Sequence, residues 1–254
     1  MKIGVGITTF NKQDYYDTLY NSLPLSEIDS LITTNMGSNY NRIYKGHWNQ
    51  WEKGYDNGPA EGRNQNIKYL LENDCDYLFL IEDDMIIKNK NVFAEYISKS
   101  IETGIKYFIY CSTTEGSGSI GKRTPKFNVK YPNNYNISFY PNMNNDFVCH
   151  HKSNFEERLY DTSYRYIFDI EFTYYHMMTK KITAPFWNFP DISNSDLYVN
   201  NQPGSESRIN EQREKKLFEE FTKLKNQIGY WVTDIPRSEI TETKKRLKEL
   251  YEGR

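Results

Sequence analysis

An apolar run, Tyr77, Leu78, Phe79, Leu80 and Ile81, ends in three consecutive carboxylates, Glu82, Asp83 and Asp84. Strands buried on both faces of a sheet read as unbroken apolar runs, and open α/β sheets bind ligands outside the carboxyl ends of such strands. Acids at a strand tip therefore point into a cleft, where three negative charges within about 10 Å repel one another. A divalent cation with a preference for oxygen relieves that repulsion. Taken alone, the tripeptide can equally be a solvated turn.

The elements around it decide which reading applies. Lys2 to Thr9 is a β-branched run ending in a polar loop of Thr8, Thr9, Phe10 and Asn11, with a helix expected over Gln13 to Leu23. Leu31 to Thr34 is a short second strand closed by Asn35, Met36, Gly37 and Ser38. Arg42 to Gly58, with Trp48 and Trp51, reads as a loop or short helix, and Glu61 to Leu71 as a helix feeding the Tyr77 to Ile81 strand. Alternating strand and helix predicts an α/β fold with a parallel, doubly wound sheet.

Further on, Ile105 to Cys111 and Phe147 to His150 are strand candidates. Between them lie a Gly/Ser-rich stretch from Thr113 to Gly121, with the composition of a lid, and a basic cluster of Lys122, Arg123, Lys126 and Lys130. That cluster is either solvated surface or a seat for a phosphate-bearing ligand. His150 and His151 are adjacent, so on a strand they face opposite ways and do not readily share one ion. Tyr164 to Met178 reads as an amphipathic segment carrying Asp169 and Glu171. From Ser205 the chain becomes charged and helical, at Arg208 to Gln227 and Ser238 to Glu252, with Pro236 between. Pairs such as Glu220 with Lys223 or Lys225 predict solvent-facing helices. The division expected is a main domain over residues 1–204 and a helical extension over 205–254.

Composition narrows the class. In 254 residues, hydrophobic types make up 37% and aromatics 16%, so the core rests on amphipathic aromatics, and Tyr-rich clefts suit sugars and bases. A net charge of −2 provides no global field toward nucleic acid or an anionic membrane. Cys75, Cys111 and Cys149 are widely spaced without a CxxC pattern, which argues against a disulfide framework or a zinc site. Met1 to Thr9 lacks a signal-peptide pattern, and no apolar run reaches the roughly 18 residues of a membrane span. The expectation is a soluble cytoplasmic protein.

In their order these pieces resemble the GT-A fold glycosyltransferases, close in pattern to the family 2 enzymes, over roughly residues 2 to 190. The resemblance implies a Rossmann-like, mixed but mostly parallel central sheet flanked by helices, with a charged helical C-terminal extension. It implies that Thr8, Thr9, Phe10 and Asn11 receive the nucleotide base, and that Asn35 stands where the family carries an acid for base or ribose. Asn57, Gly58 and then Gly62, Arg63, Asn64 match its next segment, in which a guanidinium near a helix N-terminus meets a diphosphate. The alternative for Arg63 is a surface helix residue. Glu82-Asp83-Asp84 occupies the Asp-x-Asp position: Asp84 is the expected metal ligand, with Glu82 beside it, Glu82 and Asp83 contacting ribose, sugar or metal-bound water, and the cofactor Mn²⁺ or Mg²⁺. Asp169, with Glu171 second, is the expected base, while Phe168 replaces a family acid. Salt bridges to Arg165, Lys180 or Lys181 are the alternative for this pair. His176 is too near in sequence to serve as a further metal ligand, which leaves Asp191 or Asp196.

The function implied is metal-dependent transfer of a hexosyl or pentosyl group from a nucleotide-diphosphate sugar, with a UDP-sugar favoured. Inversion rests on the resemblance, and the acceptor is a glycan, a lipid-linked sugar or, less readily, a base in DNA. Two other classes compete. A nucleotidyltransferase would carry a Gly-rich basic loop after the first strand, which Thr8 to Lys12 lacks. A catalytically inactive carbohydrate-binding domain is favoured by Met36 and Phe168, both replacing family acids.

Overall fold

The computed structural model describes residues 1–51, 58–109, 127–130, 136–139, 146–179, 199–201 and 211–253. Its elements in chain order are β1 (Ile3–Thr9), α1 (Gln13–Ser22), β2 (Ser30–Asn35), β3 (His47–Gln50), α2 (Pro59–Glu72), β4 (Tyr77–Glu82), β5 (Met85–Ile87), α3 (Val92–Thr103), β6 (Tyr107–Ile109), β7 (Phe127–Lys130), β8 (Asn136–Phe139), β9 (Phe147–His151), α4 (Phe168–Thr179), β10 (Val199–Asn201), α5 (Glu211–Ile228) and α6 (Arg237–Glu252). Six strands form the central sheet in the order β3-β2-β1-β4-β9-β6. Only β9 runs against its neighbours, so the sheet is mixed and mostly parallel, as the resemblance implies.

The centre of the sheet is buried because its strands carry no polar face. Val5, Ile7 and Leu78 to Ile81 are sealed between helices, as expected of strands covered on both sides. Asn66 ties α2 to the sheet: its amide nitrogen donates to Ile7 O at 3.0 Å and its oxygen accepts from Thr34 Oγ1 at 2.7 Å. At Gly62 an added Cβ would lie 2.5 Å from Met36 Sδ and 2.9 Å from Thr8 Cγ2, so only glycine lets the first turn of α2 approach the strand ends so closely. Register pairs Thr8 with Glu82 and Thr9 with Asn35, which brings the carboxyl ends of β1, β2 and β4 level.

Three expectations need correction. His47–Gln50 is an edge strand parallel to β2, not a loop or short helix. Its sequence lacks apolar alternation because it is held by polar pairs with β2, Asn49 to Thr34 Oγ1 at 3.3 Å and Asn35 to Gln50 at 3.0 Å. The segment around Asp169 is not amphipathic: α4 is buried almost all round, its acids and His176 included. The third concerns Glu220, which pairs with no lysine on a solvent face. Its carboxylate accepts from the backbone N–H groups of Arg165 (2.8 Å), Tyr166 (2.8 Å) and Ile167 (3.2 Å), the residues that lead into α4.

That contact explains why α4 can be buried on its outer side. Leu224, Ile228, Val232, Ile235 and Leu247 from the C-terminal segment join the core, Tyr164 donates to Gln227 Oε1 at 2.7 Å, and Tyr174 to Val232 O at 3.1 Å. Cys75 and Cys149 are buried free thiols, whereas Cys111 lies outside the described residues. No helix among the described residues is long and apolar enough to cross a membrane.

Replacing Glu220 by Ala leaves backbone donors at a helix entrance without their charged acceptor, a loss of about 1–3 kcal/mol. Melting should fall by about 2–4 °C for each kcal/mol lost, with Glu220→Gln intermediate. An unchanged melting temperature for Glu220→Ala would show that water replaces the carboxylate without cost.

Candidate active site

The loops after β1 and β2 and the turn after β4 converge on Asp83. Its Oδ2 accepts from Thr9 Oγ1 at 2.7 Å and from Phe10 N at 3.2 Å. Tyr40 OH accepts from Lys12 N at 2.9 Å and shares a hydrogen bond with Thr9 Oγ1, so three segments are locked to one carboxylate. Thr8 turns the other way, toward Asn66 at 3.2 Å. Phe10 keeps 38% of its surface exposed and offers a flat aromatic face at the rim.

Asn35 is fully buried. Its amide nitrogen donates to Ser38 O at 2.8 Å and Gln50 Oε1 at 3.0 Å, and its oxygen accepts from Gly37 N at 3.0 Å. Asn11, at φ 56°, accepts from Ser38 N at 2.7 Å, and an added Cβ on Gly37 would lie 2.3 Å from its oxygen. Asn35 therefore shapes the loop. Tyr40 and Gln50, which the sequence reading passed over, complete it, and nothing in their local pattern signals either.

Arg63 is 1% exposed despite its place near the start of α2, so it is not a surface helix residue. Its Nη2 donates to Glu82 Oε1 at 2.8 Å, and its guanidinium carbon sits 5.3 Å from the centre of the Phe168 ring. Burial opposes the guanidinium's charge, but Glu82, Tyr160, Asp169 and Asp146 outweigh it and hold the group firmly protonated. Glu82 is pushed up to about 7, first by burial and then by Asp146 and Asp83, against the pull of Arg63. Asp84 rises well above the usual carboxylate range through burial and the fields of Asp146, Glu82 and Asp83. Its Oδ1 is buried and meets no hydrogen-bond partner among the described residues.

Asp146 is the acid the sequence reading missed. It is set beside Glu82 by the hydrogen bond from Glu82 N to Asp146 O at 2.8 Å, and it enters the field of Glu82, Asp84 and Asp169 alike. Only the antiparallel pairing of β9 with β4 brings it there.

Asp169 and Glu171 part company. Residues two apart on a helix point to different sides. Asp169 lies in the field of Arg63 and Asp146, accepts from Ile170 N at 2.8 Å, and has its carboxyl pushed up to about 6 by burial. Glu171 pairs with Arg158, which lies 4.0 Å over the Tyr175 ring, and its other electrostatic neighbours are Asp161 and Lys223.

His150 is buried in contact with Tyr160, and His151 bonds Ser153, so the two do face apart. His176 packs edge-on to Phe172, and its charged neighbours are Arg158 and Glu157, outside the acidic group. Among the described residues no three His, Cys, Asp or Glu side chains form a ready-made metal cage. The donor set nevertheless fits a hard cation. Mg²⁺-type ions are held by one or two carboxylates with substrate phosphates completing the shell, and Asp84 presents a buried oxygen without a partner beside Glu82 and Asp146. Asn57, Thr113 to Gly121, Lys122, Arg123, Lys126, Lys180, Lys181, Asp191 and Asp196 lie outside the described residues.

A strand tip bearing acids, a base-sized loop after β1 and one antiparallel strand inserted beside β4 are the parts of a GT-A fold, and comparison with solved structures bears this out. Residues 1–349 of S. aureus TarS superpose with a TM-score of 0.63 at 13% identity, over 99% of this chain and 72% of that one. The same TarS fragment in complex with UDP-GlcNAc superposes with a TM-score of 0.61 at 14% identity, over 99% and 72% of the two chains. Full TarS gives 0.61, with this chain spanning 43% of it. The chain therefore has the GT-A glycosyltransferase fold. No family model matches the sequence, and no curated protein matches it.

Asp84 is charged at neutral pH only against burial and three neighbouring acids. A carboxyl whose folded pKa is raised costs stability that accrues as pH rises above its unfolded pKa and is full once pH exceeds the folded one, so Asp84→Asn should raise melting at pH 8 by about 2–4 °C. The gain should shrink toward pH 4, where the unfolded aspartate also approaches neutrality near pH 3.9. Melting lowered at pH 8 would show that the carboxylate is satisfied in the folded protein.

Proposed function

We propose that this protein transfers a sugar from a nucleoside diphosphate sugar to an acceptor hydroxyl. The observation that carries this is that Asp84, Glu82 and Asp146 lie in one another's fields at the carboxyl end of β4, with Asp169 in the field of Arg63 and Asp146. Residues 1–204 would form the transfer domain and 205–254 its helical extension, in a cytoplasmic setting. TarS was solved with UDP-GlcNAc, which makes a UDP-sugar the first donor to test.

Asp84, assisted by Glu82, would hold Mn²⁺ or Mg²⁺. Such an ion would supply Lewis-acid stabilisation of the charge that develops on the departing diphosphate. Thr9, Phe10 and Asn11 form the rim that would receive the base, with Thr8 behind them, and Asp83 holds that rim in shape. Arg63 opposes the upward push on Glu82 and would lend positive charge where the phosphates lie. Asp169 would accept the proton of the acceptor hydroxyl as that oxygen bonds to the anomeric carbon, while the anomeric C–O bond to phosphate breaks and its electrons leave on the diphosphate. A single displacement of this kind inverts the anomeric centre. Glu171, tied to Arg158, would keep that arginine over Tyr175 and leave the proton to Asp169.

A glycan or lipid-linked sugar is the acceptor class favoured, with a DNA base as the outlying case. DNA binding would weaken with salt and on neutralising Lys122, Arg123 and Lys126.

Release of nucleoside diphosphate from a panel of nucleotide sugars in Mn²⁺ is the direct assay. Asp169→Asn should lower turnover about 10²- to 10⁴-fold. Wild-type turnover should rise with pH through about 6, where Asp169 loses its proton, and the variant should lack that limb. Independently of activity, Mn²⁺ should raise the melting temperature of the wild type and not of Asp84→Asn. Equal protection of both proteins would remove Asp84 as ligand.

A further inference from the structure

Behind Arg63 lies a buried polar chain that the reaction above does not use. The Asn154 side-chain atom 2.7 Å from the Lys106 carbonyl oxygen is its amide nitrogen, because a carbonyl can only accept. The same nitrogen is 3.0 Å from His150 Nδ1, so that ring atom accepts too. His150 consequently carries its proton on Nε2 and donates it to the Tyr160 hydroxyl oxygen at 2.9 Å. A second proton on Nδ1 would face another donor, so the ring stays neutral.

Every member of this chain is itself fixed. Tyr107 stacks on the imidazole with ring centres 4.0 Å apart and 20° between planes. The Tyr160 backbone is clamped by Asn64, which donates to Tyr160 O at 2.9 Å and accepts from Tyr160 N at 3.0 Å. Asn64 is the next residue after Arg63, so the clamp holds the phenol in register with the guanidinium it meets. The Tyr160 oxygen takes a second hydrogen bond from Arg63, which fills both of its lone pairs and leaves its own proton for the Tyr107 hydroxyl. Arg63 thus touches three things: Glu82 at 2.8 Å, the face of Phe168 and the Tyr160 oxygen.

We infer that Tyr160 is the positioning residue of Arg63, aimed by His150 and anchored by Asn154. An arginine side chain has many rotamers, and an ion pair to Glu82 alone restrains one nitrogen without fixing the plane. The phenol oxygen supplies a second acceptor, which together with the Glu82 contact and the Phe168 ring holds the guanidinium in one orientation. This inference rests on the proposed transfer reaction only for its effect on turnover.

The test uses the full chain with Tyr160→Phe, His150→Phe and His150→Gln, the last because the glutamine Nε2 can donate from nearly the same place. With ¹⁵N-arginine labelling, Arg63 in the wild type and in His150→Gln should show resolved, exchange-protected guanidinium N–H signals, and Tyr160→Phe and His150→Phe should lose them. If the reaction is as proposed, Tyr160→Phe and His150→Phe should lower kcat about 10- to 100-fold with donor KM within about threefold. His150→Gln should stay within about fivefold of wild type. Protected Arg63 signals in Tyr160→Phe, or His150→Gln behaving like His150→Phe, would overturn the inference. A wild type without turnover on any nucleotide sugar removes the reaction reading, and the arginine signals then decide this one alone.

Discussion

One buried positive charge organises the cleft. Removing a guanidinium from water costs several kcal/mol unless opposite charges and hydrogen bonds surround it, and Arg63 has Glu82 in contact and Asp169 and Asp146 in its field. The dependence is mutual. The half-buried Glu82 and the buried Asp169 are carboxyls pushed up to about 7 and about 6, and both would rise further without Arg63. The charge enters on α2, the first acid on β4, the next immediately before β9 and the last on α4, so four segments converge on it.

The same constraint explains the packing nearby. α2 can deliver Arg63 inward only because Gly62 lets its first turn press on Met36 and Thr8, and because Asn66 and Asn64 bind that helix to β1 and to the Tyr160 segment. Phe168, in place of a charged residue, covers one face of the guanidinium and keeps water from it. The position of α4 in turn depends on a carboxylate far along the chain, since Glu220 satisfies three backbone donors at its entrance.

Two kinds of acid therefore coexist at the strand ends. Asp83 is satisfied by Thr9 and Phe10 and serves to shape the rim, whereas Asp84 is crowded by like charges and has a buried oxygen without a partner among the described residues. Crowding like charges at one strand end costs stability, which is the usual relation between stability and function. Adjacent residues in one tripeptide thus carry opposite roles.

Local pattern alone revealed the strands β1, β2 and β4, the helices α1 and α2, and the polar residues at their ends, because apolar runs and their punctuation are properties of neighbouring residues. It also marked Asp84 and Asp169 as acids worth attention. Tertiary structure decided everything that depends on who lies opposite. It made His47–Gln50 a strand through polar pairing with β2, turned Asn35 inward, sank Arg63 into the interior, brought Asp146 to Glu82, and separated Asp169 from Glu171 by helical rotation. The physical reason is common to all five. Secondary structure is biased by side chains a few positions apart, but the charge state and accessibility of a buried group are set by partners tens of residues away, and no local period records them.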